Sequence, residues 1–376
     1  MAVKKEIKIH NKSDKPDNII LKENEIMEKC QSIQDELPRF LSGFFVYLKG
    51  NVLPMTRLAY LQDIRFFCNY LIHETDLTAA EKIRDIKQGN FENIKAADIN
   101  LFIDYCRRYK VEKEKAVIIY ENDKKSLSRK KSSLSVLFKY LYRDEMISRN
   151  ITDAFDPIKL PKPGEREIKA LQDDEVMRML DAVSAGGNLT KKEKEFWQKT
   201  KKRDKAILIL FLTYGLRLSE LQQLNISSFN FNRGEFKIYR KRGKESVMPL
   251  NKSVKKALVE YINEERASDE GLTGENRDAL FLSLQGKRMT ERQIRELVKK
   301  YTSIGLATSR GAGYSPHKLR ATAATSLIGR GNSIFDVQAL LDHENVTTTQ
   351  LYAAHKKNVK QDLVKNFEWE DEFDKK

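Results

Sequence analysis

From Leu37 to about Phe155 apolar residues recur every three or four positions, the period of helices with one buried face. Leu58, Leu61, Ile64, Phe67, Cys68 and Leu71 form one stripe, and Ile99, Phe102, Ile103 and Cys106 a second. Leu127, Leu134, Leu137, Phe138 and Leu141 form a third. Strand signals are few here, so a small helical bundle is expected. Residues 1–36 are charged and weakly patterned, which reads as a partly disordered or loosely helical arm. After the bundle, Pro157, Pro161 and Pro163 forbid a regular helix and favour an extended strap.

A new helical pattern begins near 170. The stretch 183–205, Gly-rich and then Lys-rich, reads as added surface length with two uses open: a contact with a macromolecular partner or neighbouring subunit, or a neutral insertion. The very apolar run 206–212 reads as a buried helix, broken by Gly215. The period then switches to two across 235–240 and 246–250, with Lys241, Arg242, Gly243 and Lys244 between, which predicts an antiparallel hairpin with a cationic tip. Ser315 and Pro316 suit the N-cap and first position of another helix. Val359, Leu363, Val364 and Phe367 recur at helical spacing before an acidic end that carries Trp369 and Phe373. The expected protein is mainly α with a small antiparallel β-sheet in its C-terminal domain. Its segments are an arm 1–36, a helical domain 37–156, a linker 157–168, a second domain 169–357 and a terminal segment 358–376.

Charge adds a partner. The 376 residues hold 69 Lys and Arg against 54 Asp and Glu, a net charge of +15. The basic residues are spread along the chain, which suits an extended polyanion contacted over a large surface. No RNA-type aromatic signature and no basic amphipathic anchor argue for other partners. No run of eighteen apolar residues occurs, so no membrane span is expected. The basic N-terminus lacks the apolar core of a secretory signal. Cys30, Cys68 and Cys106 show no C-x-x-C spacing, which fits free thiols in a reducing cytoplasm and no zinc site. Cys68 and Cys106 fall inside helical stripes and are expected in the core. No Asp, Glu and His cluster has metal-ligand spacing, which disfavours a metal-dependent nuclease.

The candidate chemistry lies in the C-terminal half. Two of only five histidines, His317 and His343, fall between 317 and 352 with Arg320 and Tyr352. A guanidinium grips phosphate oxygens in a fork, imidazole moves protons near neutral pH, and a phenol becomes a nucleophile once its proton has an acceptor. His317 and Arg320 share a helix face at i and i+3 and can both reach one anion near a helix N-terminus. Arg217, just after a buried helix, needs an anionic partner or a water-filled cleft. Glu220 is one candidate partner, and a plain surface pair is the bland alternative. The cationic hairpin tip can fold over a phosphate. In the N-terminal half Lys124, Lys125, Arg129, Lys130 and Lys131 crowd the start of the third helix. They are either a solvated charge run or a helix laid on a DNA groove with lysines on phosphates.

Taken together, Tyr214-Gly-Leu-Arg-Leu-Ser-Glu220, Lys241 to Leu250, Pro316-His-Lys-Leu-Arg320, and Leu340-Leu-Asp-His343 through Tyr352 resemble the tyrosine recombinase (phage integrase) family, Xer-type members in particular. The resemblance implies a two-domain DNA clamp, with 37–156 as core DNA-binding domain and 169–357 as catalytic domain. It implies catalytic residues Arg217, Lys241, His317, Arg320, His343 and Tyr352, with Lys244 and Lys237 near enough to compete with Lys241. Arg242 and Lys244 are expected as further DNA contacts. It also implies a 3′-phosphotyrosyl intermediate formed without metal, cofactor or ATP, strand exchange between two double-stranded sites through a four-way junction, and a tetramer on DNA. The terminal segment 358–376 is expected to dock on the adjacent protomer, and an accessory protein is a further partner to test. Asp342 stands where the family usually has glycine, and Ala321 where it often has histidine. A type IB topoisomerase, which would relax DNA without a partner site, and a catalytically silent DNA-binding protein of the same fold are the alternatives.

Overall fold

The computed structural model describes residues 15–114, 116–160, 168–240, 243–266, 272 and 274–342. Lys241, Arg242, His343, Tyr352 and the terminal segment 358–376 lie outside the described residues. The chain divides into two compact units, 1–161 and 162–376. Among the described residues no helix is long and apolar enough to cross a membrane.

The first unit runs α1 (Asp17–Glu36), α2 (Ser42–Asn51), α3 (Pro54–Glu74), α4 (Gln88–Glu92), α5 (Ala96–Tyr105), β1 (Arg108–Lys113), β2 (Ala116–Glu121) and α6 (Lys124–Arg143). All three predicted stripes are buried, on α3, on and just after α5, and on α6. The three cysteines are free and buried. Burial pushes the Cys68 thiol up to about 12, so at neutral pH it is an inert core group. Two expectations are corrected. The described part of the arm is a helix packed on α3, not a loose segment. Ile19, Cys30 and Ile33 are buried, with Ile26 packed beside them. So sparse a stripe is hard to see in a charged sequence, yet it is enough once α3 covers it. The bundle also carries a hairpin. β1 and β2 pair antiparallel, with Tyr109 opposite Tyr120 and Val111 opposite Ile118. Tyr109 stacks on Tyr120 at 5.1 Å and meets Phe66 of α3 at 5.0 Å, so aromatic contact holds a pair of strands that charged residues otherwise disguise.

The second unit runs α7 (Asp173–Ala185), α8 (Lys191–Tyr214), α9 (Leu218–Gln222), β3 (Phe229–Asn230), β4 (Glu235–Tyr239), β5 (Glu245–Pro249), α10 (Lys252–Glu264), α11 (Glu275–Asp278), α12 (Glu291–Gly305), α13 (Pro316–Gly329) and α14 (Ile334–Leu341). The stretch 183–205 is integral rather than an added loop. Thr190 caps α8 in a capping box with Glu193, and the Lys-rich residues form the outer half of the helix whose inner half is the apolar run. Trp197 donates its indole N–H to the Val183 carbonyl at 2.7 Å, locking α8 to the end of α7. The predicted hairpin is β4–β5, widened by β3 to an antiparallel sheet of order β3-β4-β5. The core gathers α7, α8, α10, α12 and the sheet's inner face. A smaller cluster of Ala321, Ala324, Ile328, Val337 and Leu341 packs α14 on α13.

Candidate active site

α8 ends where predicted. Gly215 takes a left-handed conformation, φ +56°, and closes the helix with its N–H on the Phe211 carbonyl. Just before it, the Tyr214 hydroxyl donates to the Pro249 carbonyl and accepts from the Asn251 N–H, both at 2.8 Å. That clasp sets the far end of β5 against the turn that carries Arg217.

Arg217 is the N-cap of α9. The Glu220 carboxylate, 4% exposed, accepts from the Arg217 backbone N–H at 2.8 Å and from its guanidinium at 2.7 Å. A carboxylate so buried is more than a surface partner: it aims the guanidinium, whose side chain stays 33% exposed. The other arm of Arg217 donates to the Asp342 carbonyl at 3.1 Å.

Arg320, on α13, is 3% exposed. It donates to the Gly215 carbonyl at 2.7 Å and the Leu341 carbonyl at 2.6 Å. Here the structure differs from the helix-face expectation, because His317 is at the surface while Arg320 turns inward. Three residues of spacing place both near one helix end, but the packing of α13 decides which of them sees solvent.

A third guanidinium completes the set. Arg240, just past β4, is 6% exposed and donates to the Leu340 carbonyl at 2.9 Å. Three arginines from three stretches of chain therefore hold three successive carbonyls, Leu340, Leu341 and Asp342, at the end of α14. Helix-end carbonyls lack intrahelical donors and carry the negative end of the helix dipole, so cations collect there. Sequence reasoning missed Arg240. The signal was period two, since Phe236, Ile238 and Arg240 alternate onto one strand face and the first two are buried.

Asp342 has φ +51°, the left-handed region where glycine is at ease and which Asp tolerates. Its carboxylate accepts from the Lys244 ammonium at 3.2 Å. Burial pushes the Asp342 carboxyl up, but Lys244, with Arg240 and Arg217 beyond it, holds it below the usual range. Of the hairpin lysines described, Lys244 reaches the end of α14, while Lys237 pairs with Glu245 across the hairpin at 2.9 Å. Among the described residues no group of three or more His, Cys, Asp or Glu side chains is placed to hold a metal.

The basic run on α6 splits. Lys124 and Lys125 are exposed. Lys130 is 8% exposed, bonded to the buried Asp63 carboxylate at 3.3 Å and set over the Phe66 ring. Arg129 also pairs with Asp63 but keeps an exposed edge. Lys131 holds the Phe155 and Asp156 carbonyls at 3.2 and 2.6 Å, fastening the chain where the linker begins. Lys130 and Lys131 are thus engaged within the fold.

A basic helical unit, joined to a second unit that gathers three guanidinium groups and a lysine at one helix end, has the parts of an enzyme acting on the phosphodiesters of DNA. The chain belongs to the phage integrase family, whose model matches residues 169–359. It is a tyrosine recombinase of Xer type, an enzyme of site-specific recombination that cuts and rejoins DNA. It is 32% identical over 244 residues to the tyrosine recombinase XerC of Thermodesulfovibrio yellowstonii, covering 62% of this chain and 73% of that one. To the XerC of Natranaerobius thermophilus it is 35% identical over 232 residues, covering 61% and 72%. Its fold is similar to the Tn1549 transposon integrase in complex with transposon right-end DNA, with a TM-score of 0.59 and 19% identity over 90% of this chain and 98% of that one. XerH bound to a palindromic difH substrate gives 0.56 and 16%, over 83% and 78%. The topoisomerase alternative gains no support from these relatives.

Proposed function

We propose that this chain cleaves a specific double-stranded site through Tyr352 and passes the strand to a second site, working as a tetramer on DNA. Arg217 and Arg320 stabilise the charge that builds on the non-bridging oxygens. Arg217, a third exposed, meets a phosphate directly. Arg320 reaches it by exchanging one of its carbonyl bonds. The Tyr352 hydroxyl oxygen bonds phosphorus as the bond to the 5′ oxygen breaks. His317 takes the phenolic proton and Lys241 protonates the departing oxygen. His343 hydrogen-bonds the phosphate. The phosphotyrosyl ester conserves the bond, so the 5′-hydroxyl of the partner duplex reverses the step without ATP. DNA is held between the core-binding unit, through Lys124, Lys125 and Arg129, and the catalytic unit, through Arg242 and Lys244. The terminal segment 358–376 docks on the neighbouring protomer.

What carries this reading is the convergence of Arg217, Arg240 and Arg320 on the three carbonyls that precede His343. The test is covalent trapping on a nicked suicide duplex. Wild-type protein forms an adduct, and Tyr352→Phe forms none while binding the same duplex with affinity within a few-fold. Adduct formation by Tyr352→Phe would remove the nucleophile assignment. Mapping the DNA ends attached to the protein in cells supplies that duplex and assigns the role. A fixed chromosomal site means dimer resolution, and the two ends of a mobile element mean integration and excision.

A further inference from the structure

We propose that Arg240 is a positioning residue of the active site, tying the base of the hairpin tip to the end of α14 and so setting where the chain enters His343. The inference rests on the recombinase reading above and extends it to a residue with no assigned part in the chemistry.

Three observations carry it. First, Arg240 is anchored at both ends. Its backbone N–H donates to the Lys244 carbonyl at 2.8 Å and its own carbonyl accepts from the Gly243 N–H at 3.1 Å, so it is the fixed base of the tip. Its guanidinium crosses to the Leu340 carbonyl. One side chain thus links the base of the hairpin tip, at Gly243 and Lys244, to the helix end that precedes His343 in the chain.

Second, the contact is poor as a device for stability. The strand face that bears Arg240 is otherwise apolar, with Phe236 and Ile238 buried beside it. The guanidinium makes no hydrogen bond to a carboxylate among the described residues. Its Nε is buried without a partner, and Nη2 lies 3.7 Å from the Met248 sulfur. Burial lowers its pKa, only partly offset by Glu220 and Asp342. A methionine or leucine would fill this place without desolvating a charge, so packing does not explain the residue.

Third, the surroundings carry excess positive charge. Arg217, Arg240, Arg320 and Lys244 stand against the Glu220 and Asp342 carboxylates. Such a cluster suits an incoming phosphate. Arg240, the deepest of these cations but Arg320, acts on it through the chain it holds. Releasing the Leu340 carbonyl frees the last turn of α14, to which Arg217 and Arg320 are also fastened.

The test uses the full chain and a nicked suicide duplex carrying the mapped site. It compares wild type with Arg240→Met, which keeps length without charge, and Arg240→Lys, which keeps a donor for the Leu340 carbonyl. Each is assayed for thermal unfolding, equilibrium DNA binding and single-turnover adduct formation. The Met variant is expected to unfold no earlier than wild type and to bind DNA within about threefold, while its adduct rate falls roughly 10- to 100-fold, the scale of a misplaced catalytic group. The Lys variant falls between. On a duplex whose scissile 5′ oxygen is replaced by sulfur, a leaving group that needs no proton, the Met deficit persists, because Arg240 acts on the phosphate-holding side. A wild-type rate for the Met variant overturns the proposal, as does a Lys variant no faster than Met. So does full recovery on the sulfur substrate, which would place the effect in leaving-group protonation, or parallel loss of stability and DNA binding in both variants, which would make Arg240 a residue of the fold. Failure of wild-type protein to form any adduct counts against the recombination chemistry of Tyr352 rather than against the Arg240–Leu340 tie.

Discussion

Glu220 accepts from both the backbone and the side chain of Arg217, so a buried carboxylate aims a partly exposed guanidinium. Replacing it tests whether aim matters apart from charge. Glu220→Ala is expected to reduce adduct formation on the order of 10²-fold, the effect of a displacement of about 1 Å at a reacting centre. DNA binding, spread over many phosphates, should change only a few-fold. Equal losses in binding and cleavage would show that Glu220 supports the fold and not the aim of Arg217. The motif Tyr214 to Glu220 was legible at this scale because a glycine break followed by Arg and Glu at i and i+3 is a local pattern. The inward turn of Arg320 was not, because it depends on carbonyls contributed by α8 and α14.

Two joints between elements invite experiment. At the first, α8 meets α14 at Gly215, where an added Cβ would lie 2.5 Å from the Leu341 Cδ2 in a backbone region unfavourable to side chains. Gly215→Ala combines left-handed strain of about 1–2 kcal/mol with overpacking of about 1–3 kcal/mol. The melting temperature of the catalytic unit should fall by roughly 4–20 °C, with cleavage lost as the α14 end is displaced. An unchanged melting temperature would contradict the close approach. At the second joint, Arg310 grips Glu193 at 2.9 and 3.0 Å and holds the start of α8 against the turn after α12. Hydrogen bonding from Arg310 leads the causes that hold the Glu193 carboxyl down at about 2. A depressed carboxylate stabilises the fold above its ordinary value near 4.5, and that contribution disappears as the pH falls through about 2. Because Arg310 is more than a third exposed, the pair is worth about 1 kcal/mol or less. Glu193→Gln should therefore be slightly less stable than wild type in urea at pH 7, with the gap narrowing between pH 4.5 and pH 3. A gap that widens on acidification would reverse the sign and exclude the pair as its source.

For the whole molecule the governing quantity is the net charge of +15 facing a polyanion. Each lysine on a phosphate adds close to one unit to the slope of log affinity against log salt. Lys124→Ala and Lys125→Ala are each expected to reduce that slope by about 1. Lys130→Met should leave it unchanged, because its ammonium is held inside by Asp63. A slope change for Lys130→Met equal to that for Lys124→Ala would return Lys130 to the DNA surface. One run of basic residues thus contains both exposed and structural members, and a linear count of charge cannot sort them.

Periodicity alone determined the helical stripes of the first unit and the β4–β5 hairpin, because these depend on neighbours three, four or two positions away, and Gly215 marked the end of α8. Motif order alone marked Arg217, the hairpin lysines, His317, Arg320, His343 and Tyr352 as candidates. Tertiary structure decided what local pattern cannot carry. It folded the charged segment 17–36 onto α3, paired β1 with β2, and made the Lys-rich stretch before 205 part of a core helix. It sent Lys130 inward, and it set Arg240 beside Arg217 and Arg320 on the carbonyls of α14. The physical reason is that each outcome rests on a contact outside the local pattern. Apolar and aromatic contacts with α3 hold the first two, and the charged residues of the others take their role from the partner they meet in the fold.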